Sequence, residues 1–208
     1  MKKLFSFLIF LNILSFTVQA QTNTNAQSVL DKAAAKVQSS KGISVSFSLT
    51  QKDKFGHTVS SSNGILKIKG SKYYVKQGGA EIFSNGVQIW NYDGQNEVTV
   101  AKAADDDNEL SPQQIITGFD KKDFDIQLIS SSVNYQVQLM PVDKRKNYKQ
   151  VILYLNKSNN LITKAVITDK TNAIIEINFT NISLNNSFSD SQFAFDASKH
   201  PGVEIVNQ

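Results

Sequence analysis

Two histidines, His57 and His200, are the side chains of this 208-residue chain whose ordinary pKa suits a general base near neutral pH. His57 follows a glycine in a predicted turn and His200 precedes Pro201, so we expect both in exposed loops. The sequence has no Gly-x-Ser-x-Gly elbow, no phosphate loop and no dinucleotide-binding glycine pattern. These residues therefore give no case for an enzyme.

An acidic run at residues 105–109, Asp-Asp-Asp-Asn-Glu, is the candidate for metal binding. It lacks the ligand spacing and the central glycine of an EF-hand, so we expect a solvated loop and no bound metal. The chain has no cysteine, which excludes disulfides, thiolate-bound zinc, iron–sulfur clusters and thiol catalysis. The sequence predicts no cofactor.

Charge and composition exclude two further classes of protein. Apolar residues make up 40% of the chain, which is enough to build a core and argues against disorder. The 22 basic and 18 acidic residues give a net charge of +4, and Arg145 is the only arginine. Nucleic-acid binders use arginines for bidentate contacts to phosphates and bases, so we expect no nucleic-acid partner.

The first twenty residues have the pattern of a secretory signal peptide. Lys2 and Lys3 precede an apolar run over residues 4–18, and Val18-Gln19-Ala20 supplies small residues for cleavage near Ala20/Gln21. A membrane anchor is the competing interpretation, but the run is shorter than the ~20 residues that span a bilayer. We expect a signal peptide over 1–20 and one soluble, exported domain over 21–208.

One helix and a long series of strands should make up that domain. Apolar residues at helical spacing predict a helix over 26–37 with Asn25 as its N-cap. From Ile43 the period changes to two, and Asn85-Gly86 and Asp93-Gly94 predict two-residue hairpins. A change of parity predicts a bulge near Thr180-Asn181. Strands are predicted over 43–50, 59–62 with 64–69 (one strand or two), 72–77, 80–83, 87–92, 96–101, 124–128, 133–140, 148–155, 161–168 and 173–184.

A short helix interrupts the strands in the middle of the chain. Ser111-Pro112 is a strong helix start, and 113–117 follows with Ile115, Ile116 and Phe119 on its apolar side. This helix could be a connector that plugs the end of a barrel, or a lid that covers a cavity. Nine to eleven strands must curl or close, and the inner face could be a packed core or a pocket. The pattern alone leaves both pairs of alternatives open.

Several short motifs, in their order and spacing, resemble the outer-membrane lipoprotein carrier family (LolA type). They are Val45-Ser46-Phe47-Ser48, the strand at 64–69, the hairpin Ser84-Asn85-Gly86-Val87-Gln88-Ile89-Trp90-Asn91-Tyr92, the helix start at Ser111-Pro112, and Phe193-Ala194-Phe195 with Pro201-Gly202-Val203. The resemblance implies an α+β, mainly β fold. It would be an incomplete, half-open antiparallel β-barrel wrapped over the N-terminal helix and the short lid helix.

The resemblance also implies a function and a set of partners. Such a protein would shield the acyl chains of lipoproteins in an apolar cavity and deliver them across the periplasm from the inner to the outer membrane. Its partners would be acylated lipoprotein cargo, an ATP-driven inner-membrane release complex and an outer-membrane lipoprotein receptor. It would act as a monomer.

The family's functional positions can be placed on this sequence. Tyr74 falls where the family has an aromatic residue at the cavity mouth. Gly70 occupies the place of the arginine that holds the family's lid closed, so Lys69 or Lys72 would have to substitute for it. Strand parity and the resemblance together predict a lipid-binding cavity lined by Phe47, Leu66, Ile68, Tyr74, Phe83, Ile89, Ile115, Ile116 and Phe119.

Three alternatives to the carrier stay open. The same fold could bind another lipid or a glycolipid, or sense stray lipoproteins. A packed β-sheet module of the cell envelope, with no cavity, belongs to a different class and would take up no lipid. An extracellular hydrolase would require His57 or His200 to lie in a pocket.

Overall fold

A computed structural model describes residues 18–103, 110, 115–116, 118–119 and 122–207, with side chains from residue 25 onward. Most of the predicted signal peptide, the acidic run 105–109 and the helix start Ser111-Pro112 lie outside these residues. Ile115 and Ile116 have helical backbone, as the predicted short helix requires.

The described chain forms one long α-helix and twelve strands, and two short 3-10 helices, Asp190–Phe193 and Ala197–Lys199, lie between the last two strands. Eleven predicted strands are confirmed to within two residues, and 58–69 is a single strand. Strand β12 was not predicted. The elements are α1 (Val18–Gln38), β1 (Ile43–Lys52), β2 (Thr58–Lys69), β3 (Lys72–Gln77), β4 (Ala80–Ser84), β5 (Gln88–Tyr92), β6 (Glu97–Lys102), β7 (Phe124–Ser130), β8 (Asn134–Pro141), β9 (Tyr148–Asn156), β10 (Ile162–Asp169), β11 (Ile174–Ser183) and β12 (Glu204–Asn207).

All twelve strands belong to one sheet with the order β12-β6-β5-β4-β3-β2-β1-β11-β10-β9-β8-β7. Neighbouring strands are antiparallel, except that β12 runs parallel to β6. The two halves of the chain meet where β1 pairs with β11. Because β12 and β7 are the edges of this order, the sheet curls without closing into a barrel. The predicted mainly β, half-open fold with a helix is confirmed.

Helix α1 packs on one face of the sheet, which we call the inner face. Its buried residues recur at helical spacing and are Ala26, Val29, Leu30, Ala33 and Val37. The helix begins at Val18, so the prediction that Asn25 caps it is wrong. In the described residues, no helix is both long and apolar enough to cross a membrane.

Two predicted hairpins are correctly located but longer than two residues. The Asn85 side chain accepts hydrogen bonds from the backbone N–H groups of Val87 and Gln88, at 2.9 and 2.8 Å. The Asp93 carboxylate accepts similarly from residues 95, 96 and 97. These side chains satisfy the backbone donors of a wider turn, which is why the two-residue prediction is wrong. A Cβ atom on Gly94 would lie 2.4 Å from the Gly79 carbonyl oxygen. Position 94 therefore accepts only glycine, because the β3–β4 turn lies so close to it.

The predicted bulge in β11 is confirmed. Ser46 pairs with Thr180, but Ser44 pairs with Ser183, so β11 carries an extra residue between these two pairs. Asn181 lies inside the bulge with a φ of 51°, a left-handed conformation that asparagine tolerates better than most residues. The bulge increases the local bend of β11 beside β1.

A segment that we call the C-terminal strap, residues 186–207, crosses the opposite or outer face of the sheet. Its Phe193 is fully buried, and Phe195 lies 5.8 Å from the rings of both Phe83 and Tyr92. The strap ends in β12, which extends the sheet beside β6. The sheet is therefore covered on both faces, by α1 on one and by the strap on part of the other.

One ion-pair cluster fastens the strap to the β2–β3 hairpin. The Asp190 carboxylate accepts from Lys69 Nζ at 2.9 Å and from Lys72 Nζ at 2.8 Å. These two ammonium groups lower the pKa of Asp190 from 3.8 to about 2. Because the pKa of Asp190 is lower in the folded than in the unfolded protein, the ion pairs stabilise the fold fully at a pH above the unfolded-state pKa. This stabilisation is lost as the pH falls through the folded-state pKa.

We therefore expect the effect of Asp190→Asn on stability to depend on pH. The loss in free energy of unfolding should be largest above about pH 4 and should shrink as the pH falls towards 2. Urea denaturation of both proteins between pH 6 and pH 2 measures it. Asp31→Asn is the control, because its carboxylate accepts from the neutral amide of Gln27 at 2.7 Å. A pH-independent effect of Asp190→Asn would contradict the assigned ion pairs.

Candidate functional site

The inner face is a continuous apolar surface. Buried apolar residues reach it from β1, β2 and β3 on one side of the sheet and from β7 to β11 on the other. Strand alternation puts these residues on one face and leaves Ser46, Ser48 and Lys67 on the other. Its members on the strands are Ile43, Val45, Phe47, Leu66, Ile68, Tyr73, Val75, Phe124, Ile126, Val137, Leu139, Tyr148, Val151, Leu153, Leu155, Ile162, Ala165 and Phe179.

Ile115, Ile116, Gly118 and Phe119, which we call the lid segment, lie between α1 and the inner face. Ile116 lines a small gap together with Ala33 and Val37 of α1 and with Ile43 and Val45 of β1. Gly118 lies close to α1, because a Cβ atom at this position would be 3.2 Å from the Ala34 Cβ. At the end of the segment the Phe119 ring packs edge-on against Phe124, at 5.1 Å between centroids. The segment thus shields the apolar surface from water.

The gap beside Ile116 measures about 10 Å³. That volume is close to the minimum for one water molecule. Sites for organic ligands are usually about 300–1,000 Å³. The inner face is therefore closely packed beside Ile116 in this conformation, and a ligand can enter there only if the lid segment or α1 moves away from the sheet.

The structure separates the nine predicted cavity residues into two groups. Seven of them, Phe47, Leu66, Ile68, Ile89, Ile115, Ile116 and Phe119, lie in or against the inner-face cluster. Tyr74 and Phe83 are paired neighbours on β3 and β4 and lie on the outer face, with ring centroids 5.0 Å apart. The Tyr74 hydroxyl donates to Glu81 at 2.9 Å, and burial together with this carboxylate raises the pKa of Tyr74. The sheet keeps these two aromatics away from the other seven residues.

Sequence reasoning missed Tyr73 and Val75, which occupy the inner face of β3 in their place. The signal that identifies them is the Gly70-Ser71 turn. A two-residue hairpin sets the register Lys69–Lys72, and the next pair is then Ile68 with Tyr73. Since Ile68 belongs to the inner face, Tyr73 must do so as well.

Gly70, which takes the place of the family's latch arginine, has a φ of 58° in that tight turn. Of the two candidate substitutes, Lys69 donates to the Phe188 carbonyl oxygen at 2.8 Å and to Asp190, and Lys72 also binds Asp190. Both ammonium groups therefore hold the C-terminal strap on the outer face. The expectation that either of them latches the lid segment is wrong.

The two histidines have separate environments. His57 Nδ1 lies 3.2 Å from the Asp53 carboxylate in the exposed β1–β2 turn, as expected for a loop residue. His200 is half-buried and stacks on Phe195 at 4.8 Å between ring centroids, so the prediction that it is exposed is wrong. Within the described ranges, no three His, Asp or Glu side chains are grouped as metal ligands would be.

A second depression lies on the outer face and is far larger, at about 560 Å³. Its lining includes the hydroxyl groups of Ser46, Ser48 and Thr180 and the ammonium group of Lys76. It is open to solvent, and its lining mixes these polar residues with Phe47 and Ile65, so it does not enclose an acyl chain in apolar surroundings. The inner face, although closed, is the surface whose chemistry fits an apolar ligand.

An open antiparallel sheet that folds its apolar face over one helix defines the architecture. The sequence matches the family model described as outer membrane lipoprotein carrier protein LolA over residues 16–166, and the chain belongs to that family. No curated protein matches the sequence significantly.

The chain is also similar to several solved structures. An uncharacterized conserved protein from Thermus thermophilus superposes with a TM-score of 0.59 at 9% identity, covering 88% of this chain and 99% of that one. A LolA superfamily protein from Nitrosomonas europaea gives 0.48 at 16% identity, over 82% and 97% of the two chains. The lipoprotein LppX from Mycobacterium tuberculosis gives 0.44 at 9% identity, over 80% and 98%.

Proposed function

We propose that this protein is an exported carrier that shields the acyl chains of lipoproteins against the inner face and delivers them from the inner to the outer membrane. The observation that carries the proposal is the continuous apolar inner face, contributed by eight strands and shielded by α1 and the lid segment. Membership of the lipoprotein carrier family supports the choice of acyl chains as the ligand. The mechanism involves burial and release, with no chemical step.

Packing supports an opening between the helix and the sheet. The sheet is held by backbone ladders, whereas α1 adheres through Val29, Leu30 and Val37 and two small alanines. A fully buried Val or Leu contributes about 1.5–3 kcal/mol, and an alanine much less. Separating α1 and Ile116 from the sheet breaks side-chain contacts and leaves the backbone hydrogen bonds between the central strands intact.

An acyl chain replaces the contacts that such an opening breaks. Each methylene group removed from water contributes about 0.8 kcal/mol, so a long chain offsets the loss of several side-chain contacts. The apolar surface has no directional partner for the chain, and binding is therefore diffuse and reversible. These are the properties that a carrier needs to accept cargo and to release it.

The proposal includes a location and partners. The predicted signal peptide over 1–20 directs the mature domain to the periplasm. There it would act as a monomer, receive acylated cargo from an ATP-driven inner-membrane release complex and pass it to an outer-membrane receptor.

A displacement titration tests the proposal. Purified, delipidated mature protein is loaded with an environment-sensitive apolar dye, and a triacylated lipopeptide competes with the same peptide lacking its acyl chains. We expect displacement by the acylated form alone. Displacement by both forms would place recognition on the peptide and contradict the acyl site.

A second candidate is a packed envelope module whose inner face never opens. The observation that favours it is the gap of about 10 Å³ beside Ile116. It predicts that the folded protein takes up neither dye nor lipopeptide. That outcome of the same titration would contradict the carrier proposal and support the packed module.

A further inference from the structure

Positive charge is concentrated at one end of the sheet, in what we call the basic lobe. The lobe comprises the β8–β9 connection with the start of β9 (residues 142–149) and the β10–β11 turn (residues 169–172). It contains two acidic residues, Asp143 and Asp169, whereas the whole chain has 22 basic and 18 acidic residues. Its five basic residues are Lys144, Arg145, Lys146, Lys149 and Lys170.

Hydrogen bonds join the two loops into one surface. The Lys170 backbone N–H donates to the Asn147 carbonyl oxygen at 3.3 Å, and Lys170 Nζ donates to the Arg145 carbonyl oxygen at 3.2 Å. Lys149 Nζ donates to the side-chain oxygen of Asn172 in the other loop. The cations are therefore presented together by a fixed scaffold.

Five cations share two carboxylates in the lobe, so they are only partly neutralised. Lys144 and Lys170 donate to backbone carbonyl oxygens and Lys149 to an amide, all of which are uncharged acceptors. The Asp143 carboxylate pairs with Arg145 at 2.8 Å. Asp169 accepts from Thr171 and from the backbone of its own turn, and the Lys149 ammonium group also interacts with it electrostatically. The lobe thus keeps a net positive charge.

Charged groups beside the lobe leave this balance unchanged. Lys122 and Asp123 stand just before β7 at the same end, with opposite charges, and the Val142 N–H donates to the Asp123 carbonyl oxygen at 3.0 Å. Val142 itself is 52% exposed among the cations. An exposed apolar side chain surrounded by lysines suits the boundary between lipid headgroups and acyl chains.

We propose that the basic lobe docks the protein on the surface of an anionic lipid bilayer. The lobe is made of turns that end four strands, so its charges are spread over the end of the sheet, as contact with a charged surface requires. A basic side chain near an anionic membrane contributes attraction that decays within a Debye length, about 10 Å at 0.1 M salt. Docking through the lobe does not use the inner face, so it is independent of acyl-chain binding.

The experiment measures sedimentation with vesicles made of equal parts phosphatidylglycerol and phosphatidylcholine, and with vesicles of phosphatidylcholine alone. We expect binding to the anionic vesicles only, and its loss near 1 M salt, where the Debye length falls to about 3 Å. Equal binding to both vesicle types would overturn the proposal. So would an absence of binding at low salt, which would leave an acidic protein surface as the partner of the lobe.

A pair of matched variants assigns the binding to this end of the sheet. Lys149→Glu with Lys170→Glu should weaken binding to the anionic vesicles by about 10-fold or more. The control, Lys41→Glu with Lys157→Glu, changes the net charge equally at the opposite end, where β1 begins and β9 ends, and should retain most of the binding. Equal losses of vesicle binding in the two variants would show that the overall charge of the protein causes the attraction. That result would overturn the proposal that the basic lobe is the docking surface. Ile116→Glu should bind the vesicles as the unchanged protein does, which separates this result from the carrier proposal.

Discussion

Replacing Ile116 by glutamate is expected to weaken the binding of a triacylated lipopeptide by about 10–100-fold, because a buried isoleucine contact is worth about 1.5–3 kcal/mol and every 1.4 kcal/mol is tenfold. Ile116 is 6% exposed and lies where the carrier proposal requires the acyl chains to enter, between α1 and β1. A carboxylate at this position loses hydration whenever a chain lies beside it. The dye-displacement titration measures the change, with urea denaturation as the check on folding.

The control for this prediction is Val133→Glu. Val133 is 84% exposed in the β7–β8 turn, so the substitution adds the same charge without touching the inner face. Its affinity for the lipopeptide should match that of the unchanged protein. If Ile116→Glu is folded and binds with unchanged affinity, the acyl chains do not pass this residue and the assigned entrance is wrong.

Strand positions could be predicted well because the alternation in the sequence is a direct consequence of pleat geometry. In β1, Ile43, Val45 and Phe47 point to the inner face, and the serines between them point outward. The bulge at Asn181 was predictable for the same reason, since an extra residue must reverse the parity.

Which face each aromatic occupies was harder to predict, because part of this sheet is covered on both sides. In β3, Tyr73 and Tyr74 are adjacent and both are shielded, so parity alone does not identify the inner one. The strap causes this ambiguity, since it makes apolar residues favourable on the outer face too. The sequence of the strap itself shows no regular alternation of apolar and polar residues. Nothing local in Phe193-Ala194-Phe195 indicates which surface will bury the first phenylalanine.

Phe193→Ala is expected to lower the free energy of unfolding by about 3–5 kcal/mol, which is the usual cost of truncating a fully buried phenylalanine. Phe193 is 0% exposed and packs edge-on against Phe188 at 5.9 Å between ring centroids. A loss of this size is a large share of the roughly 5–15 kcal/mol that stabilises a domain. Urea denaturation measures it, and Phe55→Ala is the control because Phe55 is 74% exposed.

A local effect of Phe193→Ala would have a distinct signature. If the strap detaches while the sheet stays folded, proteolysis should cleave within residues 186–207 and the lipopeptide affinity should be unchanged, because the inner face lies on the other side of the sheet. Combining Phe193→Ala with Ile116→Glu should then give additive losses of stability, as expected for distant sites that share no partner. Equal stabilities of Phe193→Ala and Phe55→Ala would contradict the anchoring role of Phe193. Strong non-additivity would mean that strap and lid segment are coupled through the sheet, and that the outer face takes part in opening the inner one.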